Sequence, residues 1–190
     1  MILSFPEEAV PGALRAQVLA LQEEAWPTPG GAVPDGPVHD PLLRPLSMLL
    51  VDGGVVLAAL DVLSKEIVHA GHRYAVGGLS TVVTRRAAQG RGHGRRLVAA
   101  AREAMAVQGL DLGLFTCDRP LRGFYEGAGW RVLPGAVLVG GTPGEPFPSD
   151  QPGFDKVTMG DFFSARARGV EPLFCGSRVE LYPGEIDKLW

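Results

Sequence analysis

Hydrophobic positions along the chain follow two periods, and the changes between them set the order of the predicted elements. In residues 11–26, PGALRAQVLALQEEAW, Leu14, Val18, Leu21 and Ala25 recur at helical spacing, with Pro11 and Gly12 opening the run and Pro27 closing it. The stretch TPGGAVPDGPVHDP that follows is too long and too rich in Pro and Gly for a passive connection, which marks a candidate substrate loop. LSMLLV, a DGG turn and VVLAALDVL predict one hairpin. KEIVHA, a Gly71-His72 turn and RYAVGGLSTVVT predict a second, so the strands form an antiparallel meander.

The helical period returns in RRLVAAAREAMAV, from Arg95 to Val107, where Leu97, Val98, Ala101 and Met105 face inward. DLGLFTC reads as a short apolar strand. DRPLRGFYEGAG reads as a helix with Asp118 as its N-cap, stopped by Gly127 and Gly129, and Trp130 to Leu133 begin another strand. Residues 134–155 read as a Pro/Gly loop holding one short strand, and KVTMGDFF as a late strand. A helix, an antiparallel meander and then alternating strands and helices define an α+β fold, with a mixed, mainly antiparallel central sheet flanked by helices. The whole chain, 1–190, is expected to form one domain with a C-terminal tail from about residue 165.

Composition changes this picture little. A hydrophobic share of 46% and a charged share of 21% are ordinary for a globular chain. Cys117 and Cys175 have no His or Cys at ligand spacing, which excludes a sequence-readable zinc site or disulfide framework, and no metal is expected. The start, MILSFPEEAV, lacks a basic region before its short apolar run, and Asp52, Gly53, Gly54 and Asp61 interrupt the most apolar stretch. A cytoplasmic protein without membrane contact is expected. The excess of Arg over Lys, 15 to 3, with abundant Ala, Gly and Pro, reads as a bacterial GC-rich coding bias.

Charge is unevenly spread. Residues 1–40 carry six acids against Arg15 alone, whereas residues 85–96 carry five arginines and no acid. The basic cluster surrounds Gly90, Gly92 and Gly94 in AAQGRGHGRRLVAAA, between a predicted strand and a predicted helix. Glycines there let the backbone approach a ligand. The first N–H groups of the helix have no intrahelical partner and carry about half a positive charge, which suits a phosphate. The same glycines also fit a plain packing turn. GxxxxGK[ST] is absent, GxGxxG is not met, and no aromatic residues interleave with the arginines for base stacking, so no nucleic-acid partner is expected.

Gln89-Gly90-Arg91-Gly92-His93-Gly94 resembles the Q/R-x-x-G-x-G/A pyrophosphate loop of the GCN5-related N-acetyltransferases (GNAT). Phe124-Tyr125-Glu126-Gly127-Ala128-Gly129-Trp130 resembles the FYxxxGF/W segment of the same superfamily, in the same order along the chain. The resemblance implies acetyl-CoA as co-substrate. It implies pantetheine contacts from the backbone of Val82, Val83 and Thr84, and pyrophosphate contacts from Gln89 through Arg95: Gln89, Gly90, Arg91, Gly92, His93, Gly94 and Arg95. It also implies that Tyr125 protonates the departing thiolate after direct attack by an amine. Neither cysteine has a base partner marking a covalent nucleophile. A homodimer is compatible with the superfamily.

The run Val55–Arg91 and the final GEIDKLW resemble the aminoglycoside 2'-N-acetyltransferases. That likeness implies an acceptor pocket of Asp35, Asp40 and the Trp190 carboxylate, with Asp187 or Glu185 nearby and Ser80 among the substrate-binding positions, closed by the tail, for a small-molecule amine. Where the subfamily has a glutamate, this chain has Ser80, which cannot act as a base. For the base, Glu23, Glu24, Asp35, Asp40, His69, Glu180, Glu185 and Asp187 are alternatives. A peptide N-acetyltransferase and a non-catalytic acetyl-CoA sensor are the rival readings.

Overall fold

The computed structural model describes residues 1–27 and 38–190. Its strands are β1 (Ile2–Pro6), β2 (Leu46–Asp52), β3 (Val55–His69), β4 (His72–Thr84), β5 (Leu112–Asp118), β6 (Arg131–Val132), β7 (Val137–Gly141), β8 (Pro146–Pro148), β9 (Lys156–Phe162) and β10 (Arg178–Glu180). The helices are α1 (Gly12–Ala25), α2 (His93–Val107), α3 (Arg122–Glu126) and α4 (Ala165–Arg168). The main sheet has the order β1-β2-β3-β4-β5-β9-β6, antiparallel except between β4 and β5. This is the expected mainly antiparallel α+β arrangement. A second sheet, β10-β7-β8, forms from residues read as loop and tail.

Several sequence expectations need correction. The segments VVLAALDVL and KEIVHA are one strand, β3, because Ser64 and Lys65 offer no turn chemistry and their pairing with β4 continues through Gly77 and Val76. Residues 134–155 hold two strands rather than one. Asp118 precedes a short 3-10 turn without capping it through its side chain, and instead pairs with Lys156 at 2.8 Å. β1 was not anticipated. It is an edge strand only five residues long, ordered by its pairing with β2.

α2 packs on one face of the sheet. Leu97, Val98, Ala101 and Met105 are all buried there among Met48, Leu50, Ala58, Leu60 and Val62, as the helical stripe predicts. A fully buried Leu or Val contributes roughly 2 kcal/mol, so this stripe fixes the helix and hence the loop before it. α1 covers the opposite face over β2 to β4, where Leu14, Val18 and Leu21 meet Leu49, Val56, Ala59 and Val83. The second sheet and α4 cover that same face further along, over Tyr74, Val76, Leu112, Leu114 and Phe162.

β4 and β5 pair only at Val76–Leu112 and Gly77–Gly113, then separate, although β4 runs on to Thr84 and β5 to Asp118. Gly77 and Gly78 stand where the strands part. A Cβ on Gly77 would meet Leu110 at 2.8 Å and Met105 at 3.0 Å on the α2 side, and one on Gly78 would fall inside the Trp190 indole on the other. The missing side chains let α2 and the C-terminal tail both close on β4 at this point. Just beyond, Thr81 and Val82 oppose Leu60 alone, a β-bulge in which Thr81 has φ +47°.

Candidate active site

The cleft opened by the splay has a volume of 530 Å³ and is walled by β4, the loop before α2 and α3. Val82, Thr84, Gln89, Gly90, Gly92, His93, Gly94, Arg95 and Tyr125 all line it. Two residues of the expected set do not. The Val83 side chain points to the opposite face beneath α1, and Arg91 is an exposed loop residue outside the wall. Beyond Gly77 the edge of β4 that faces β5 is unpaired with it, leaving main-chain groups for an extended ligand.

The loop has the geometry its glycines allow. Gly90 (φ +73°) and Gly92 (φ +79°) are left-handed, with nothing within 4 Å of where a Cβ would stand. α2 begins at His93, two residues earlier than the periodicity suggests, and no side chain caps it. Its first backbone bond runs from Arg96 N to Gly92 O at 2.9 Å, so the amides just before Arg96 are free for an anion. Gln89 steadies the loop, donating from Nε2 to Thr84 O at 3.1 Å. At Gly94 a Cβ would lie 2.6 Å from Thr84 Oγ1 and 3.3 Å from Phe124, so helix and strand approach as closely as a glycine permits. Gly94→Ala is expected to push the start of α2 off β4 and to weaken acetyl-CoA binding about tenfold, roughly 1.4 kcal/mol, read by calorimetric titration.

Tyr125 is buried, its ring edge-on to Phe115 (centroids 4.9 Å, 61°) and to Phe124 (4.9 Å, 81°). Burial pushes its pKa up, with Cys117 and Asp118 adding to the effect, so the phenol keeps its proton across the physiological range. Burial likewise raises the Cys117 thiol to about 11, which leaves it a poor nucleophile.

On the other face of β4 lies a polar cluster of which the sequence reading named Asp187, Asp40 and Ser80 as site residues but not His39, Asp61 or Glu7. Asp61 of β3 is the register partner of Ser80 and accepts from Ser47 Oγ and Thr81 Oγ1, both at 2.5 Å. His39 Nε2 lies 3.3 Å from Asp61 Oδ2, an ion-pair distance without hydrogen-bond alignment, and His39 Nδ1 is 2.7 Å from Asp187 Oδ1. Asp187 Oδ2 accepts from Asp40 N at 3.0 Å, so both of its oxygens are engaged. Glu7, buried at the end of β1, accepts from Val38 N at 2.5 Å and from His39 N at 3.4 Å. Burial alone would lower the His39 pKa, but Asp187 and Asp61 outweigh it and raise the value to about 10, so the imidazole is a cation. Asp61 carried a signal all the same: an acid amid the apolar run LAALDVL is expensive to bury unless partnered.

The tail completes this side. Lys65 donates to the carbonyls of Leu181 and Pro183, and its ammonium stands 5.2 Å from the Trp190 ring. Burial lowers the Lys65 pKa to about 8, against the charges of Asp187 and Asp40. The bonds Gly141 N to Gly184 O and Gly184 N to Gly141 O, both 2.9 Å, stitch the tail to β7.

The alternatives for the base are dispersed. Asp40 Oδ1 accepts from Leu42 N at 2.9 Å, Glu24 pairs with Arg86 at 3.3 Å, and His69 Nε2 is 2.9 Å from Leu173 O. Glu180 and Glu185 are exposed, Glu23 is half-buried on α1, and Asp35 lies outside the described residues. Ser80 is half-buried at the bulge. Among the described residues no group of His, Cys, Asp and Glu is arranged to hold a metal ion, and no helix is long and apolar enough to cross a membrane.

A sheet splayed between two parallel strands, with a glycine loop and free helix amides at the opening, leaves a cleft with room and donors for an extended, phosphate-bearing ligand. The family model described as the acetyltransferase (GNAT) family matches residues 18–130, more than half of the chain, and the chain belongs to that family of acetyltransferases. Among solved structures it is similar to an aminoglycoside 6'-N-acetyltransferase complexed with coenzyme A (14% identity, TM-score 0.60, covering 87% of this chain and 98% of that one). It is also similar to an acyl-CoA N-acyltransferase from Pseudomonas aeruginosa (18%, 0.55, 84% and 97%) and to Escherichia coli ElaA (12%, 0.58, 84% and 98%). At these identities the likeness is one of fold. No curated protein sequence matches the chain.

Proposed function

We propose that the protein transfers the acetyl group of acetyl-CoA to a primary amine of a small molecule in the bacterial cytoplasm, with aminoglycosides as the acceptor class to test first. The observation that carries this reading is the placement of two unlike sites on opposite faces of β4, at its bulge. Val82 and Thr84 face the cleft with the free helix amides, while Thr81 and Ser80 adjoin the carboxylates. Acetyl-CoA supplies the acyl group as an activated thioester. Residues Gly90 to Arg95 hold its diphosphate through main-chain N–H groups, the edge of β4 receives the pantetheine, and the Tyr125 hydroxyl offers its proton where the sulfur departs.

On the acceptor side a primary amine of pKa near 10 is about 3 units from neutral at cell pH, roughly 4 kcal/mol to deprotonate. The carboxylates of Glu7, Asp40, Asp61 and Asp187 outnumber the cations beside them, His39, Lys65 and Arg15, and the excess negative charge draws a polycation and orients its ammonium. Trp190, whose indole is pressed on Gly78, closes this side of the pocket beside the splay. The run Val55–Arg91 and the terminal GEIDKLW support the aminoglycoside class.

Thiol release from acetyl-CoA against a panel of amines tests the reading. Turnover with polyamine sugars supports it, and thermal stabilisation by DNA in place of acetyl-CoA overturns it. Extending the chain past Trp190 by a short Gly-Ser segment is expected to raise the acceptor KM several-fold and leave the acetyl-CoA KM unchanged. Identical kinetics in the extended protein would remove the end of the tail from the pocket.

A further inference from the structure

The His39–Asp61–Asp187 cluster joins three parts of the chain that no local pattern connects. Asp61 is the fixed end, held on the sheet by Ser47 and Thr81. Asp187 is the far end, on a tail that beyond Leu181 has no regular helix or strand. His39 stands between them at the base of the segment leading from α1 to β2, its side chain 2% exposed.

We propose that His39 is the positioning residue of the acceptor pocket: its imidazolium, clamped between Asp61 of β3 and Asp187 of the tail, holds the tail against the sheet so that Trp190 is presented beside the β4–β5 splay. The proposal rests on the acetyl-transfer reading above. Both ring nitrogens face carboxylates, so His39 has no free lone pair with which to take a proton from an amine, and its role is to hold. Asp187 accepts from His39 Nδ1 and Asp40 N, one on each oxygen, so its charge is committed to the clamp.

Two further features show a tail built to be held. Gly78 leaves room for the Trp190 indole, and at Gly140 a Cβ would collide with the carbonyl oxygen of Lys188. Other charged groups facing the cluster are Glu7 from the end of β1, Arg15 from α1, which donates to the Glu7 carbonyl at 3.4 Å, Asp40 from the segment before β2, and Lys65 from β3, whose ammonium reaches the tail carbonyls. A buried ion cluster of this kind adds little net stability against apolar packing. It does impose one geometry on the tail.

The test uses the full chain with His39→Leu and Asp187→Asn, the second matching the native residue in size. Acetyl transfer to the best amine of the panel is measured together with amide hydrogen exchange of a peptide spanning residues 178–190. In both variants the acceptor KM is expected to rise about tenfold or more, with the acetyl-CoA KM within twofold of the parent. Tail amides exchange at least tenfold faster, and α2 keeps its protection. A tail peptide as protected as in the parent overturns the clamp, and so does a faster-exchanging tail with unchanged acceptor KM. If His39→Leu fails to fold, Asp187→Asn decides by the same criteria. Hydrogen exchange needs no acceptor, so a parent enzyme inactive with every amine defeats the acetyl-transfer reading and leaves the clamp to be judged on its own.

Discussion

Replacing Tyr125 with Phe slows acetyl transfer roughly 100-fold at saturating amine and leaves acetyl-CoA binding intact. The ring is fixed by Phe115 and Phe124, so the variant keeps its packing and loses only the hydroxyl. A departing thiol has a pKa near 8.5, well below that of a buried phenol, so complete proton transfer is uphill by at least 2 kcal/mol. On the proposed reading the hydroxyl acts as a charge-stabilising donor along the reaction, and the missing donor is expected to appear in kcat. Single-turnover thiol release and an acetyl-CoA thermal shift separate the two effects. Unchanged turnover removes Tyr125 from the chemistry, and a lost thermal shift reassigns it to binding.

Folding stability falls by about 1.5 kcal/mol or a little less between pH 6.5 and pH 8, a window in which many proteins change little. The His39 pKa is raised from 6.5 to about 10 by Asp187 and Asp61 against burial, so the folded state keeps a proton that the unfolded chain releases. That contribution is whole below pH 6.5 and is lost as pH climbs through 10. Lys65 works the other way. Burial lowers it from 10.5 to about 8, so the folded state is penalised below pH 8 and the penalty lifts as pH rises to 10.5. The decline consequently flattens above pH 8, though only in part, because the half-buried Lys65 ammonium is screened by water. Urea denaturation at pH 6.5, 8 and 10 checks this. In Lys65→Met the decline continues past pH 8, and in His39→Gln it disappears. A parent protein more stable at pH 8 than at pH 6.5 contradicts the assignment of His39 as a buried cation.

What the sequence made legible was local. The stripe Leu97, Val98, Ala101, Met105 names one face of one helix, and three glycines before it mark a turn whose backbone must run left-handed at Gly90 and Gly92. Much of the wall of the cleft could be read because the end of β4 and the glycine loop are contiguous in the chain, while α3 is marked by its own FYEGAGW segment. The polar cluster was hidden for the opposite reason. His39 and Asp187 are 148 residues apart, and no periodicity relates them. Asp61 was visible as an anomaly in an apolar strand, but its value depends on Ser47 and Thr81, which only the register of β2, β3 and β4 brings together. The second sheet escaped notice because β10 pairs in parallel with β7, and β9 inserts between β5 and β6, both long-range choices made by packing. Even Ser80, read as a gap where a carboxylate belongs, is answered across the ladder by Asp61.

A titration of the isotope-labelled protein with acetyl-CoA, following backbone amide resonances, examines the donor site most directly. The amides from Gly90 to Arg95 should move first and furthest, those of Val82 to Thr84 should follow, and α1 should stay still. Saturable shifts that cluster elsewhere, with the glycine loop unmoved, would place the coenzyme on a different surface and leave the α2 N-terminus a packing turn.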